Sequence, residues 1–219
     1  SGWSVMDSPR ADAEALAAVL EEQYGFETRR LYDAEARKEK VLAALGAVCR
    51  LGSKTPVLIF HAGHGYWDPI GQRGYWIPFG ASASGEGSAR AEWIAHDELV
   101  QQLLAATPRR VLLISDSCFS GALLDRRVWT SGAAGQDERP ARFALCSGDL
   151  APVPDSAGTR SVFAQALVEF LAHPPADEFT AEDLGRGVRR QVQRLTGQVV
   201  RMGPLAPEAD GPFVLRRRP

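Results

Sequence analysis

Short apolar runs that alternate with longer amphipathic stretches constrain the fold of this chain more than any other feature. Residues 55–60 and 110–115 are apolar runs of strand length without polar alternation, which is typical of strands buried on both faces. Stretches such as residues 35–50 separate such runs and carry apolar positions at helical spacing. This order predicts an α/β fold with a mostly parallel central sheet and helices on both faces.

The bulk properties predict one domain over residues 1–219. The chain is 45% apolar, shows no Pro/Gly/Ser-rich linker and has a formal net charge of −2, so it offers no broad basic field for a nucleic acid or an anionic membrane. Basic residues in 186–194 and 216–218 are typical of a solvated face. No apolar run approaches the ~20 residues of a membrane-spanning helix, and residues 1–9 lack the features of a signal peptide. We expect a cytoplasmic protein that binds neither nucleic acid nor membrane.

The cysteine content predicts reduced thiols. The three cysteines, Cys49, Cys118 and Cys146, cannot all pair and show no Cys-x-x-Cys spacing. Neither a disulfide framework nor a zinc ribbon is therefore indicated, and a reducing compartment suits the chain.

Two side chains with reactive chemistry each follow a predicted buried strand. His64 lies in the loop after residues 55–60, and Cys118 lies in the loop after residues 110–115. Sites in such folds collect beyond the carboxyl ends of the strands, so we expect both side chains at the same sheet edge. Peptide hydrolysis by cysteine needs a thiolate, a base and amide donors for the oxyanion. We predict Cys118 as nucleophile, His64 as base, and the amides of Gly65 and Cys118 as oxyanion donors.

The residues around both positions resemble a known peptidase family. A His-Gly pair after one apolar strand, followed 54 residues later by Asp-Ser-Cys-Phe-Ser-Gly after another, is similar to bacterial caspase-like peptidases and metacaspases. The resemblance extends over residues 12–215 and implies a caspase-like fold and a cysteine endopeptidase with a Cys118–His64 dyad. It implies no cofactor: calcium activates some metacaspase relatives, but no compact acidic cluster indicates a calcium site here.

Three positions depart from the family pattern. Relatives begin with an apolar strand ahead of the first helix, and none precedes that helix here, so we expect the strand to lie outside this sequence. His61 stands where an aromatic residue is commoner, so two histidines compete for the role of base, and the resemblance assigns it to His64. Phe119 follows the nucleophile where metacaspases often have histidine, which we expect to leave the chemistry unchanged.

The resemblance also implies a substrate preference. The aspartate two residues before the nucleophile, Asp116 here, lines the specificity pocket of metacaspases and pairs with a basic substrate residue. A carboxylate in a narrow pocket favours a guanidinium, and Asp149 and Asp155 are candidates for a second pocket carboxylate. We expect protein or peptide substrates cleaved after Arg or Lys. A helix cap is the alternative role for Asp116, and cleavage after aspartate would need pocket arginines, for which only Arg160 is loosely placed.

Other functions remain alternatives. A catalytically silent caspase-fold interaction module would share every fold signal, and peptide ligation would share the acyl-enzyme chemistry. A nucleotide-binding domain is disfavoured because no glycine-rich phosphate motif follows a strand, and a metal pair of His61 and His64 lacks a third ligand. The resemblance also suggests an activating partner or a fused sensor domain, and the arginines in residues 125–142 suggest a loop for self-cleavage.

Overall fold

The computed structural model describes residues 2–84, 87–124, 139–148 and 160–219. Its helices are α1 (Ser8–Val19), α2 (Lys38–Val48), α3 (His96–Leu104), α4 (Val162–Ala172) and α5 (Ala181–Thr196). Its strands are β1 (Val57–Ala62), β2 (Gly65–Asp68), β3 (Arg73–Trp76), β4 (Ile94–Ala95), β5 (Arg110–Asp116), β6 (Ala141–Cys146), β7 (Glu178–Thr180), β8 (Arg201–Pro204) and β9 (Val214–Arg216).

The central sheet has the strand order β1-β5-β6-β8. Strands β1, β5 and β6 pair in parallel, and β8 pairs antiparallel with β6. The predicted α/β fold with a mostly parallel sheet is thus confirmed. The three parallel strands are continuous apolar runs because helices cover both of their faces.

Alternate side chains of β5 enter two separate cores. Leu112 and Ile114 pack with α1, α4 and α5, whereas Val111 and Leu113 pack with α2 and α3. Because successive side chains of a strand point to opposite faces, α1 and α2 lie on opposite faces of the sheet.

A small antiparallel sheet of β2, β3 and β4 follows directly after β1 in the chain. Tyr75 of β3 and Trp93, the residue before β4, are the aromatic members of a third core cluster against which Trp3 and Tyr66 pack. Strands β7 and β9 form a separate two-stranded sheet.

The helix boundaries follow recognisable end signals. A π-helical turn, Leu20–Tyr24, continues α1 and stops at Gly25, which adopts a left-handed φ of 72°. Thr180 and Asp183 form a capping box at the start of α5. Residues 26–32 have a strand-like composition but pair with no described strand. A cavity lies between them and β1, so no strand edge is within reach of their backbone.

Candidate active site

The pairing of β1 with β5 brings the two predicted catalytic positions side by side. Ala62 is the register partner of Asp116, and the amide of Gly63 donates to the Asp116 carbonyl at 3.2 Å. His64 and Cys118 each lie two residues beyond that pair, at the carboxyl ends of adjacent parallel strands. Both side chains are partly exposed, so substrate can reach them.

The backbone near the amino terminus holds the ring of His64. Its Nε2 lies 2.7 Å from the carbonyl oxygen of Ser4, and its ring centroid lies 5.4 Å from that of Trp3. A carbonyl oxygen only accepts hydrogen bonds, so Nε2 carries the hydrogen. In the neutral ring, Nδ1 is therefore the nitrogen with a lone pair for a proton. Trp3 also packs against Trp93, with ring centroids 6.0 Å apart, and this contact anchors the segment.

Glycine is required at position 65 by the backbone that faces it. A Cβ atom placed there would lie 2.0 Å from the carbonyl oxygen of Cys118. The carbonyl of His64 accepts from the amide of Ile77 at 3.0 Å, and the Gly65 amide lies on the opposite side of the same peptide plane. That amide is therefore directed away from β3.

The nucleophile position lies in a tight turn after β5. Phe119 adopts a left-handed φ of 60°, which is rare for a residue other than glycine. Residues Ser120–Leu124 then form a 3-10 helix. The turn ends the strand abruptly and leaves Cys118 at its surface.

Two buried carboxylates flank Ser161 beside this turn. The Ser161 hydroxyl donates to Asp116 Oδ2 at 2.5 Å, and the Ser161 amide lies 3.2 Å from both carboxylate oxygens of Asp12. Asp116 is 8% exposed and Asp12 is 1% exposed. The pair lies at the carboxyl end of β5, two residues from Cys118.

Both carboxyl groups resist ionisation. Burial raises the pKa of Asp12 to about 6, with a further upward contribution from Asp116 and opposing contributions from the Ser161 amide and Arg160. Burial also raises the pKa of Asp116, although the hydroxyls of Ser161 and Ser147 lower it. Two adjacent carboxyl groups whose pKa values are raised by burial form a favourable environment for a cationic ligand.

Asp149 and Asp155, the candidates for a second pocket carboxylate, lie outside the described residues, as does most of the loop 125–142, so both stay predictions. A carboxylate that the sequence analysis did not single out, Asp12, lies beside Asp116. The sequence feature that could have indicated Asp12 is its position: it is an acidic residue on the apolar face of α1, four positions before the buried Leu16.

The competing histidine, His61, packs against an aromatic side chain. Its ring stacks on Trp76 at a centroid distance of 4.0 Å, and His96 meets the same indole edge-on at 6.4 Å. Desolvation lowers the pKa of both His61 and His96 to about 3. Within the described part of the chain, no three His, Cys, Asp or Glu side chains are grouped so as to hold a metal ion.

Comparison with known proteins identifies the family. Residues 3–205 match the family model of the caspase domain, so the chain belongs to the caspase-like peptidase family. A crystal structure of a Geobacter sulfurreducens protein superposes with a TM-score of 0.61 at 20% sequence identity, covering 94% of this chain and 88% of that chain. At that identity the likeness shows the fold alone. A search of curated proteins found no significant match.

No helix in the parts of the chain that the structure describes is both long enough and apolar enough to cross a bilayer.

Proposed function

We propose that this chain is a cysteine endopeptidase that cleaves protein substrates after Arg or Lys, with Cys118 as nucleophile and His64 as base. The observation that carries the proposal is the β1–β5 register, in which Ala62 opposes Asp116 and the two reactive residues follow two positions later. Membership in the caspase-like family supports the same chemistry.

In the proposed reaction, His64 Nδ1 takes the proton of the Cys118 thiol. The thiolate attacks the substrate carbonyl carbon, and the carbon–nitrogen bond breaks as His64 returns the proton to the leaving amine. Water, deprotonated by His64, then hydrolyses the thioester and releases the thiol. The bond between Nε2 and the Ser4 carbonyl keeps the ring in the tautomer that these steps need.

The oxyanion donors in this scheme are the amides of Gly65 and Cys118. The absence of a Cβ at position 65 lets its backbone approach Cys118 closely, and the Gly65 amide is directed away from β3. Donors fixed by backbone need no reorganisation when negative charge develops on the carbonyl oxygen.

The proposed basic specificity rests on Asp116 and Asp12. A guanidinium or ammonium group between the two carboxylates would relieve their mutual repulsion and offset the cost of their burial. Arg160 already attracts Asp12, but one partly exposed arginine against two carboxylates leaves the pocket favourable to a cation. An aspartate side chain would meet repulsion there.

The test is hydrolysis of matched fluorogenic peptides that end in Arg, Lys, Asp or Leu. We expect cleavage after Arg and Lys, at least a hundredfold slower with Asp116→Asn, and none with Cys118→Ala. The variant Asp177→Asn, at an exposed position before β7, is the matched control and should retain full activity.

Each other outcome has a definite meaning. Cleavage after Asp would contradict the pocket but keep the dyad, and activity that survives Cys118→Ala would contradict the mechanism. If the wild-type chain stays inactive and Cys118 does not react with an Arg-chloromethylketone, the catalytically silent interaction module becomes the better description.

A further inference from the structure

A chain of buried polar side chains runs from β3 to the nucleophile turn, residues 117–120. The indole Nε1–H of Trp76 donates to Ser115 Oγ at 3.0 Å, and Ser115 Oγ lies 3.1 Å from Ser117 Oγ. The three residues are 2%, 0% and 3% exposed. Polar groups at such depth need partners within the protein, so the loss of any link leaves a buried group without one.

Strand β5 places the two serines on one face of the central sheet. Successive side chains of a strand alternate, so Ser115 and Ser117 follow Leu113 on the face that α2 and α3 cover. Trp76 packs in the same core. Asp116, between the two serines, points to the opposite face, where it accepts from the N-cap residue of α4. The polar chain and the proposed substrate pocket therefore lie on opposite faces of β5.

The direction of the hydrogen bonds follows from the first member of the chain. An indole N–H only donates, so Ser115 Oγ accepts in its bond to Trp76. Ser115 is fully buried, and Ser117 Oγ is the one other partner of its hydroxyl among the described residues. Ser115 therefore donates to Ser117, and both bonds run from β3 toward the nucleophile turn. Hydrogen bonds aligned in this way strengthen one another.

The far end of the chain returns to the strand pair from which it starts. Trp76 is the register partner of Gly65 in the β2–β3 pair. A Cβ atom at Gly65 would lie 3.3 Å from Ser117 Oγ and 2.0 Å from the carbonyl oxygen of Cys118. The chain thus closes a ring on Gly65, the residue that carries one proposed oxyanion donor, beside Cys118, which carries the other.

The two proposed oxyanion donors need such a connection. Both amides must reach the same oxygen atom, so their separation has to be fixed before the reaction. The bond from the Gly63 amide to the Asp116 carbonyl holds the two loops together at the sheet, but Cys118 lies in the turn beyond it. Phe119 in that turn has a left-handed φ of 60°, a conformation that persists only where its surroundings hold it.

We propose that Ser117 is a positioning residue that sets the separation of the two proposed oxyanion amides, those of Gly65 and Cys118. Ser115 and Trp76 hold Ser117 in place. The kinetic consequence of this role rests on the proposed peptidase function, whereas its structural consequence can be measured without substrate.

The first test follows hydrogen exchange in the substrate-free chain by NMR. The Ser120 amide donates to the Ser117 carbonyl at 3.3 Å and so reports whether the turn is closed. We expect Ser115→Ala to speed the exchange of this amide at least tenfold relative to that of Leu205, a buried amide bonded at the far end of β6. An unchanged ratio of the two exchange rates would overturn the proposal.

The second test separates oxyanion stabilisation from other roles. Ser117→Ala should lower kcat for Arg peptides at least tenfold and leave KM within twofold, because the contacts of the bound substrate do not change. Alkylation of Cys118 by iodoacetamide should stay within twofold of wild type, because that displacement forms no oxyanion. Thr196→Ala, which removes a hydroxyl hydrogen bond from the end of α5, is the matched control and should leave all three values unchanged.

A double-mutant cycle tests whether the chain acts as a unit. If Ser115 acts through Ser117, the double variant Ser115→Ala/Ser117→Ala should have the same kcat as Ser117→Ala, whereas independent effects would multiply. Trp76→Phe keeps an aromatic ring and removes the indole N–H, so it replaces Ser115→Ala in both tests if that variant fails to fold.

Three kinetic results would overturn the proposal. A higher KM at unchanged kcat would place Ser117 in substrate binding, alkylation that slows in proportion to kcat would place it at the thiol, and multiplied effects would separate it from Ser115. A wild-type chain without hydrolysis would contradict the peptidase function alone. The exchange of the Ser120 amide would then still decide whether the polar chain holds the turn.

Discussion

Asp12 combines a cost in stability with a proposed role in substrate binding. Its pKa of about 6 in the folded chain lies above the ordinary value of 3.8, because the carboxyl group is buried. Between these two values the folded state binds more protons than the unfolded state. The contribution of Asp12 to the free energy of unfolding therefore falls as pH rises from about 4 to 6, and it stays low at neutral pH.

We predict that Asp12→Asn stabilises the protein at pH 7.5 and has little effect at pH 4, while it slows cleavage after Arg. Urea unfolding at the two pH values measures the first effect, and peptide hydrolysis measures the second. Asp183→Asn is the control of opposite sign, because hydrogen bonds from Thr180 lower the pKa of Asp183. A stability difference for Asp12→Asn that does not depend on pH would contradict the prediction.

The sequence predicted the position of some single residues in the fold better than that of others. Cys118 and His64 were predictable because each follows an apolar run that reads as a strand, and parallel strands end at one edge. Asp12 was not, because one polar residue on an apolar helix face gives no distance to Asp116. That contact depends on the packing of α1 against α4, where Ser161 bridges the two carboxylates.

At the scale of elements, the residue at the start of α4 both caps the helix and contacts the buried carboxylates. Ser161 is the N-cap residue of α4 and accepts from the Ala164 amide at 2.9 Å, while its hydroxyl donates to Asp116. Thr180 caps α5 in the same way but has no contact with these two buried carboxylates. Ser161 and Thr180 can therefore be compared as two helix caps, of which Ser161 alone also contacts Asp116.

We predict that Ser161→Ala and Thr180→Ala each lower the free energy of unfolding by about 1 kcal/mol, because each removes a helix cap. Ser161→Ala should also raise the KM for Arg peptides, since Asp116 loses a hydrogen bond to its ionised form. Thermal unfolding and steady-state kinetics measure the two effects. Equal kinetics for the two variants would show that Ser161 acts on the helix alone.

The predictability of the elements follows the strength of their patterns. Strands β1 and β5 are continuous apolar runs, so both were predicted close to their observed bounds. Strand β8 escaped prediction because Arg201–Pro204 is a short antiparallel edge strand with no apolar run. Residues 26–32 have the composition of a strand, but the pairing of a strand depends on a neighbour that composition does not reveal.

On the scale of the whole molecule, two desolvated histidines contribute to the response to acid. The pKa values of His61 and His96 are lowered to about 3, and in the unfolded chain they return to about 6.5. Between these values the unfolded state binds protons that the folded state does not. Stability therefore falls as pH falls from 6.5 toward 3, by about 1.4 kcal/mol per pH unit for each histidine. Asp12 and Asp116, whose pKa values are raised by burial, act in the opposite direction.

We predict that stability falls with pH in this range, with a shallower slope in His61→Phe, which keeps a ring stacked on Trp76. Urea unfolding between pH 4 and 7 measures the slope. His173→Gln, at an exposed site after α4, is the control and should leave the slope unchanged. An equal slope in wild type and His61→Phe would show that His61 already takes up its proton in the folded state.

The contact between Trp3 and His64 has an optical consequence. An imidazolium ring quenches the emission of a neighbouring indole far more than a neutral imidazole does, and the two rings lie 5.4 Å apart. The fluorescence of Trp3 therefore reports the charge of His64 without any added dye. The intrinsic fluorescence of the chain therefore changes when the proposed base, His64, accepts a proton.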